Sequence, residues 1–464
     1  MAIDAQASAE EEVKPVPKIS IFRLLVLPLL SLLPLVLAAP GAAAEEAGPQ
    51  PARTAWVGAT VYAETGAAAR TDRVIVTRGE RIEAVLPAAG FSAAGDMTLV
   101  DVHGKFLIPG LINTHVHLAT SADPAAAKAY LRREIYSGVT AVRDMAGDAR
   151  LLAELKREAE FNEIASPDIE FAALMAGPGF FQNPKTQQAS RGRVPGEAPW
   201  MQEVDGRTNL ALAVARAKGT GATGIKLYAN MSAALVSAIT TEAHRQGMLV
   251  WSHATLFPAR PSDVVRARVD VISHACMLGY EVTRPLPGAA RHPPLPVDAH
   301  ALARGAGPIN ALLAHMKTQG TMLDATLFVY DMDDSGIDCF YSTAAGLAAS
   351  AYRAGVPISS GTDDEPGDYA GPYSALIKEL ALLHDGAGMA PADILRAATV
   401  NGARAIGRAK DMGTIEAGKL ANFVVLEQDP LRDIRHLESV TTTVRNGIAY
   451  PRSGYEAVGH GGER

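Results

Sequence analysis

From Phe106 to Ile358 the chain repeats one pattern: a short apolar or β-branched run, a polar turn, then a longer stretch with apolar residues at helical spacing. The runs are Phe106 to Ile112, VTAVRDM, IEFAALMAG, ATGIKLYA, Met248 to Trp251, Val269 to Ile272, TMLDATLF and Val356 to Ile358. Runs this short, apolar without alternation, read as parallel strands buried on both faces. The first intervening helix is well punctuated, with Asp123 as N-cap, Pro124 at the first helical position, apolar spacing through Tyr130, Leu131 and Ile135, and Gly138 as the stop. Strands alternating with helices in this way predict an α/β fold, a (β/α)8 TIM barrel spanning 109–409.

Outside that span the pattern changes. Residues 55–108 carry the short strands WVGATVYA, RVIVTRG and RIEAVL, with a turn at Arg78-Gly79-Glu80. Residues 410–452 carry ANFVVLE and TTTVRNGIAY, with Asn446-Gly447 as a hairpin signal. Neither set suffices for a stable sheet alone. Together they predict a small composite β-sandwich domain formed by both chain ends, with 453–464 as a flexible tail.

The amino terminus reads differently again. Lys18 and Arg23 precede an apolar run from Leu24 to Ala39, then Ala42-Ala43-Ala44 and Glu45-Glu46. That order is the pattern of a secretory signal peptide over 1–44. Pro28 and Pro34 interrupt the run, which is short for a spanning helix of about 20 residues. The expectation is export to the periplasm or beyond, with no stable membrane anchor after cleavage. Cys276 and Cys339, the two cysteines, are compatible with an oxidising compartment; a disulfide between them is left open, because sequence cannot place their sulfur atoms. A formal net charge of −7 without a basic cluster argues against nucleic acid as a partner. A homo-oligomer is left open.

The candidate chemistry sits at the strand ends. With 12 histidines in 464 residues, chance alone supplies about 0.3 His-x-His pairs, so His115-Val116-His117 means little by itself. Context raises its value, since residues i and i+2 of a strand point to one face. His253, His274 and Asp363 each lie just beyond an apolar run, at the carboxyl end of a predicted strand, where the chemistry of such a barrel occurs. Lys226 lies inside an apolar strand, where an unpaired ammonium is costly. Tyr228, at i+2, faces the same lumen. His103, His244, His292, His300, His315 and His384 fall in loops or on helix faces and read as solvent-exposed.

The motifs IPGLINTHVHL, SGVTAVRDMAG, GIKLY, the two single histidines, SGTDDE, PADILRAATVNGARAIG and GTIEAGKLANFVVLEQDPL, in this order, resemble the amidohydrolase superfamily. Within it they are similar to the imidazolonepropionase-like and Xaa-Pro dipeptidase-like branch, from about Ala55 to Tyr450. The resemblance implies a site in which His115, His117 and Asp363 hold one divalent metal ion and His253 and His274 a second. Lys226, carboxylated by carbon dioxide to a carbamate, would bridge the two. Zinc is the first expectation for both ions, with manganese, cobalt or iron as substitutes. Such ions activate a bridging water and polarise a carbonyl, and Asp363 would act as base and then acid. Asn113 departs from the family pattern, which carries Asp there; that position affects the orientation of the ligands.

Substrate preference rests on two long loops. Gly177 to Trp200 contains Phe180, Phe181, Arg191 and Arg193, and Gly279 to His300 contains Arg284 and Arg291. Arg191, Arg193 or Arg291 are candidates to clamp a substrate carboxylate, and the phenylalanines to form an apolar wall. The expected reaction is hydrolysis of a carbon–nitrogen amide bond in a small substrate, a dipeptide or N-acyl amino acid, with Xaa-Pro among them. A cyclic-amide hydrolase, a deaminase and a catalytically inactive binding protein are the alternatives.

Overall fold

The computed structural model describes residues 52–62, 69–290, 297–298, 302, 306–332 and 339–456. The predicted signal peptide lies outside the described residues, as do Arg291, His292 and His300.

Five strands precede the barrel: β1 (Arg53–Val61), β2 (Arg70–Arg78), β3 (Arg81–Pro87), β4 (Met97–Asp101) and β5 (Phe106–Pro109). Barrel and inserted strands follow: β6 (Leu111–Val116), β7 (Val139–Asp144), β8 (Asp168–Ala176), β9 (Glu197–Ala198), β10 (Met201–Glu203), β11 (Gly224–Leu227), β12 (Leu249–His253), β13 (Val271–Ser273), β14 (Met322–Asp324) and β15 (Ile358–Ser359). The chain closes with β16 (Phe423–Leu426), β17 (Val440–Arg445) and β18 (Ile448–Pro451).

The two chain ends build one sheet, in the order β18-β17-β16-β5-β1-β2-β3 with β4 also paired to β1. Trp56, Ile75, Ile82, Leu107, Phe423 and Val444 fill its core, with the Trp56 and Phe423 rings edge to face at 5.3 Å. Asn446 and Gly447 both have positive φ, 50° and 76°, the conformation of the tight hairpin turn that joins β17 to β18. Arg445 fastens this sheet to the barrel: it is fully buried, and its Nε donates to Asp168 Oδ1 at 2.8 Å.

The eight parallel barrel strands run β6, β7, β8, β11, β12, β13, β14, β15 in space. β6 and β7 are buried throughout, because helices cover the sheet on the outside and side chains fill the lumen. The first of those helices is Pro124–Tyr136, its N-cap Asp123 accepting from Ala126 N and its Tyr130, Leu131 and Ile135 buried. The barrel closes between the segment after β15 and β6, where Thr114 N donates to Ser360 O (2.9 Å), Asp363 N to His115 O (2.9 Å) and His117 N to Asp364 O (3.0 Å). That seam holds two of the predicted histidines and the predicted aspartate. Among the described residues, no helix is long and apolar enough to cross a membrane.

Candidate metal centre

The closing seam sets the first group of candidate ligands. His115 and His117, alternate residues of β6, both direct Nε2 at Asp363 Oδ1, at 3.0 Å and 2.9 Å. One ligand atom from each of the three residues lies within 4.8 Å of the others. Asp363 adopts φ +60°, a left-handed conformation that costs a non-glycine residue and persists where the surroundings impose it. Gly361 makes the approach possible: a Cβ there would lie 2.5 Å from His115 Cβ and 2.6 Å from Asp324 Oδ1. Asn113 fastens the same seam, its Nδ2 donating to Thr362 Oγ1 at 3.0 Å and its Oδ1 accepting from Thr362 N at 3.2 Å.

The second group comes from the next strands around the barrel. His253 ends β12 and His274 follows β13. Their rings lie 4.6 Å apart between centroids, and the His274 ring is 5.1 Å from that of His115. His274 Nδ1 lies 3.0 Å from Thr326 Oγ1 and 3.8 Å from Asp363 Oδ2. Lys226, on β11, is fully buried, and its Nζ has no hydrogen-bond partner. Tyr228 shares its lumen face: its ring lies 4.0 Å from that of His253 and 6.0 Å from Lys226 Nζ. All six predicted ligands therefore surround one space.

Electrostatics agrees with a cation-binding role. Burial pulls the Lys226 ammonium down to about 7, against the opposing pull of Asp363. His253 is held well below the usual imidazole range by burial and by its neighbours Lys226 and His274. Burial takes His274 down to about 3. Burial pushes the Asp363 carboxyl up, but His115, His274 and His117 outweigh it and hold it well below the ordinary carboxylate range. Burial pulls His117 down, but its bond to Asp363 outweighs that and raises it; the neutral His253 and His274 and the ionised Asp363 are in forms that coordinate metal, and an uncharged amine is the form that reacts with carbon dioxide. The orphaned Nζ of Lys226 is a buried polar atom that a bound group would satisfy. His115, His117 and Asp363 form a donor set that fits a metal ion.

Three further residues support the ligands and were not singled out from sequence. Asp324, the last residue of β14, places Oδ2 2.9 Å from His115 Nδ1 and 3.2 Å from Arg143. Arg143 is fully buried, stacks over the Trp251 ring at 4.7 Å and donates to Ala405 O at 3.2 Å. Thr114 Oγ1 adds a bond to Asp324 Oδ1 at 3.1 Å. A ligand histidine whose second nitrogen faces a carboxylate has its tautomer and ring orientation fixed. The available signal was an acid at the carboxyl end of the apolar run TMLDATLF, the position that the predicted ligands occupy in neighbouring strands.

A cavity of about 740 Å3 opens above the centre and reaches His253, His274 and Asp363. Its walls include Phe180, Tyr228, Phe257, Tyr280 and Tyr330. Phe180 is thus on the wall, as the loop predicts, whereas Phe181 is buried in the core beside it. Arg191 and Arg193 are not: both are exposed and absent from the lining, because the chain after the helix Pro184–Ala189 turns outward and Arg150 holds the Arg191 carbonyl at 2.9 Å. Arg284 is occupied by the carbonyls of Glu281 and Thr283. Cys276 and Cys339 form a disulfide and both line the cavity. His103 is exposed, whereas His315 and His384 are half-buried because Gln319 and the Met389 carbonyl hold their rings.

Comparison with known proteins follows the same geometry. Residues 106–449 match the model of the amidohydrolase family. An imidazolonepropionase of Shouchella clausii is 36% identical over 115 residues, 24% of this chain and 25% of that protein; the match thus spans about a quarter of the curated relative. Among solved structures, a Xaa-Pro dipeptidase with methionine bound in its active site superposes with a TM-score of 0.68 at 20% identity, covering 86% of this chain and all of that one (100%). The ochratoxinase of A. niger gives 0.68 at 20% identity, covering 88% of this chain and 98% of that one. These two likenesses speak for the fold. With the family model matched over most of its length, the chain belongs to the amidohydrolase family.

Proposed function

We propose that this protein hydrolyses the carbon–nitrogen amide bond of a small substrate, a dipeptide or N-acyl amino acid, Xaa-Pro dipeptides included. The observation that carries the reading is Lys226: a buried amine without a hydrogen-bond partner, brought to about 7 by burial, in the space that four histidines and an aspartate surround. A neutral amine adds to carbon dioxide and loses one proton, and the resulting carbamate is an anion with two oxygen donors. In that form Lys226 would span two divalent ions, zinc by preference, one held by His115, His117 and Asp363 and the other by His253 and His274. Bound there, the ions would supply Lewis acidity toward the scissile carbonyl and lower the pKa of water.

The chain's own groups do the rest. Asp363, ionised and within 3.0 Å of two imidazoles, accepts the proton of the attacking water and returns it to the leaving amine. Asp324 keeps His115 in one orientation. The aromatic walls exclude bulk water and hold an apolar side chain against the centre.

The likeness to an imidazolonepropionase favours a second reading, opening of a cyclic amide such as an imidazolone. One release assay separates them, with the zinc-loaded protein offered dipeptides, N-acyl amino acids and cyclic amides side by side. The proposal expects turnover of the linear amides, lost on Lys226→Ala and partly restored by added short-chain carboxylic acids. Turnover confined to cyclic amides would select the second reading, and undiminished activity of Lys226→Ala would exclude the carbamate.

A further inference from the structure

Five phenylalanine and tyrosine side chains line the cavity above the centre: Phe180, Tyr228, Phe257, Tyr280 and Tyr330. The Phe180 and Tyr228 rings lie 4.6 Å apart and those of Phe257 and Tyr280 5.1 Å apart. Among its described lining residues, and apart from the groups of the centre itself, one side chain is permanently charged: Lys185. Lys185 stands in the first turn of the helix Pro184–Ala189, which Asn183 caps, in the loop after the third barrel strand, β8. Its Nζ lies 2.6 Å from Glu365 Oε1, two residues beyond Asp363. The pair therefore reaches across the cavity mouth, from the loop of the third strand to the loop of the eighth.

The two partners are not held alike. Glu365 belongs to a turn closed by Glu365 N donating to Asp368 Oδ2 at 2.9 Å, and its side chain is 24% exposed, whereas that of Lys185 is 68% exposed. An ion pair this open to water contributes little, so a competing carboxylate can replace Glu365 at small cost. Deeper in the cavity, aromatic walls lower the effective dielectric and strengthen the attraction of the same ammonium for an anion. Burial pulls the ammonium down, and Glu365, Asp368 and Asp363 outweigh it, so Lys185 stays charged.

We propose that Lys185 is the carboxylate-recognition residue of this site: it exchanges Glu365 for the free α-carboxylate of an N-acyl amino acid whose large apolar side chain lies against Phe180 and Tyr228. The inference rests on the reading of the site as a linear-amide hydrolase. It narrows the substrate class to acids over their neutral carboxamides, and it gives Glu365 a role as competitor for the same ammonium.

The two residues then make opposite predictions. The test compares N-acetyl-L-phenylalanine with its carboxamide in the zinc-loaded protein, reading KM where turnover occurs and calorimetric Kd where it does not. Lys185→Met should cut the preference for the acid about tenfold or more, carried by KM or Kd rather than by kcat, and Lys185→Arg should retain most of it. Glu365→Gln, which frees the ammonium, should raise the preference severalfold. A preference unmoved by either lysine variant, or one that falls alike in Lys185→Met and Glu365→Gln, would overturn the proposal and leave the pair a structural latch. Failure of the hydrolase reading looks different: no turnover of either compound, with the binding preference still deciding the role of Lys185.

Discussion

Replacing Asp324 by Asn changes one charge and almost no volume, at the carboxyl end of β14 beside His115 of the candidate centre. Oδ2 of Asp324 faces His115 Nδ1 at 2.9 Å, Arg143 at 3.2 Å and Ser273 Oγ at 3.3 Å. The asparagine can keep one acceptor there, but it leaves a fully buried guanidinium with only the neutral carbonyls of Thr114 and Ala405 as partners. Breaking a buried ion pair from one side costs about 3–5 kcal/mol; with part of the bonding retained, the lower end, about 3 kcal/mol, is expected. His115 also loses the carboxylate that fixes its ring, which should weaken metal binding about 10- to 100-fold, or roughly 1.4–2.7 kcal/mol. Denaturation of the metal-free protein in urea reads the first effect and competitive zinc titration the second. Adding Arg143→Leu removes the orphaned charge and should recover much of the stability but none of the zinc affinity. A single Asp324→Asn variant that binds zinc as tightly as the parent would refute the positioning role.

Two other perturbations test parts of the frame. Burial pushes the Glu379 carboxyl up to about 8, against about 4.3 for an unfolded Glu. The folded chain thus holds this proton more tightly, so the group's contribution to stability is full at acid pH and is lost as pH rises between those values. Glu379→Gln should flatten that decline in a thermal-midpoint series from pH 4.5 to 8.5; parallel profiles would contradict the assignment. Cys276 and Cys339 are separated by 63 positions, and closing a loop of that length removes unfolded-chain entropy worth about 4 kcal/mol. The double Ser variant should lose stability up to that amount by urea midpoint, and the parent should lose it in dithiothreitol; identical midpoints would argue against the bond.

The sequence made the barrel legible because parallel strands under helices must be apolar on both faces, so each run stood out from its turns. For the same reason a His, Lys or Asp inside or just after a run was conspicuous, and those six residues do surround one space. Asp324 carried the same signal, yet nothing local distinguishes an acid that orients a ligand from one that is a ligand. Arg191, Arg193 and Lys185 share one loop, and a loop sequence does not encode which of its side chains turns inward; here the capped turn at Asn183 presents Lys185, and the arginines follow where the chain has left the cavity. Spacing alone does not decide the disulfide, because only the folded barrel brings the segment after β13 beside the residue at 339.

The most direct test of the centre is a metal count. The protein, saturated with zinc and freed of excess, should hold close to two ions per chain by inductively coupled plasma mass spectrometry, falling on Lys226→Ala. One ion per chain, or none, would contradict the paired site on which the reading depends.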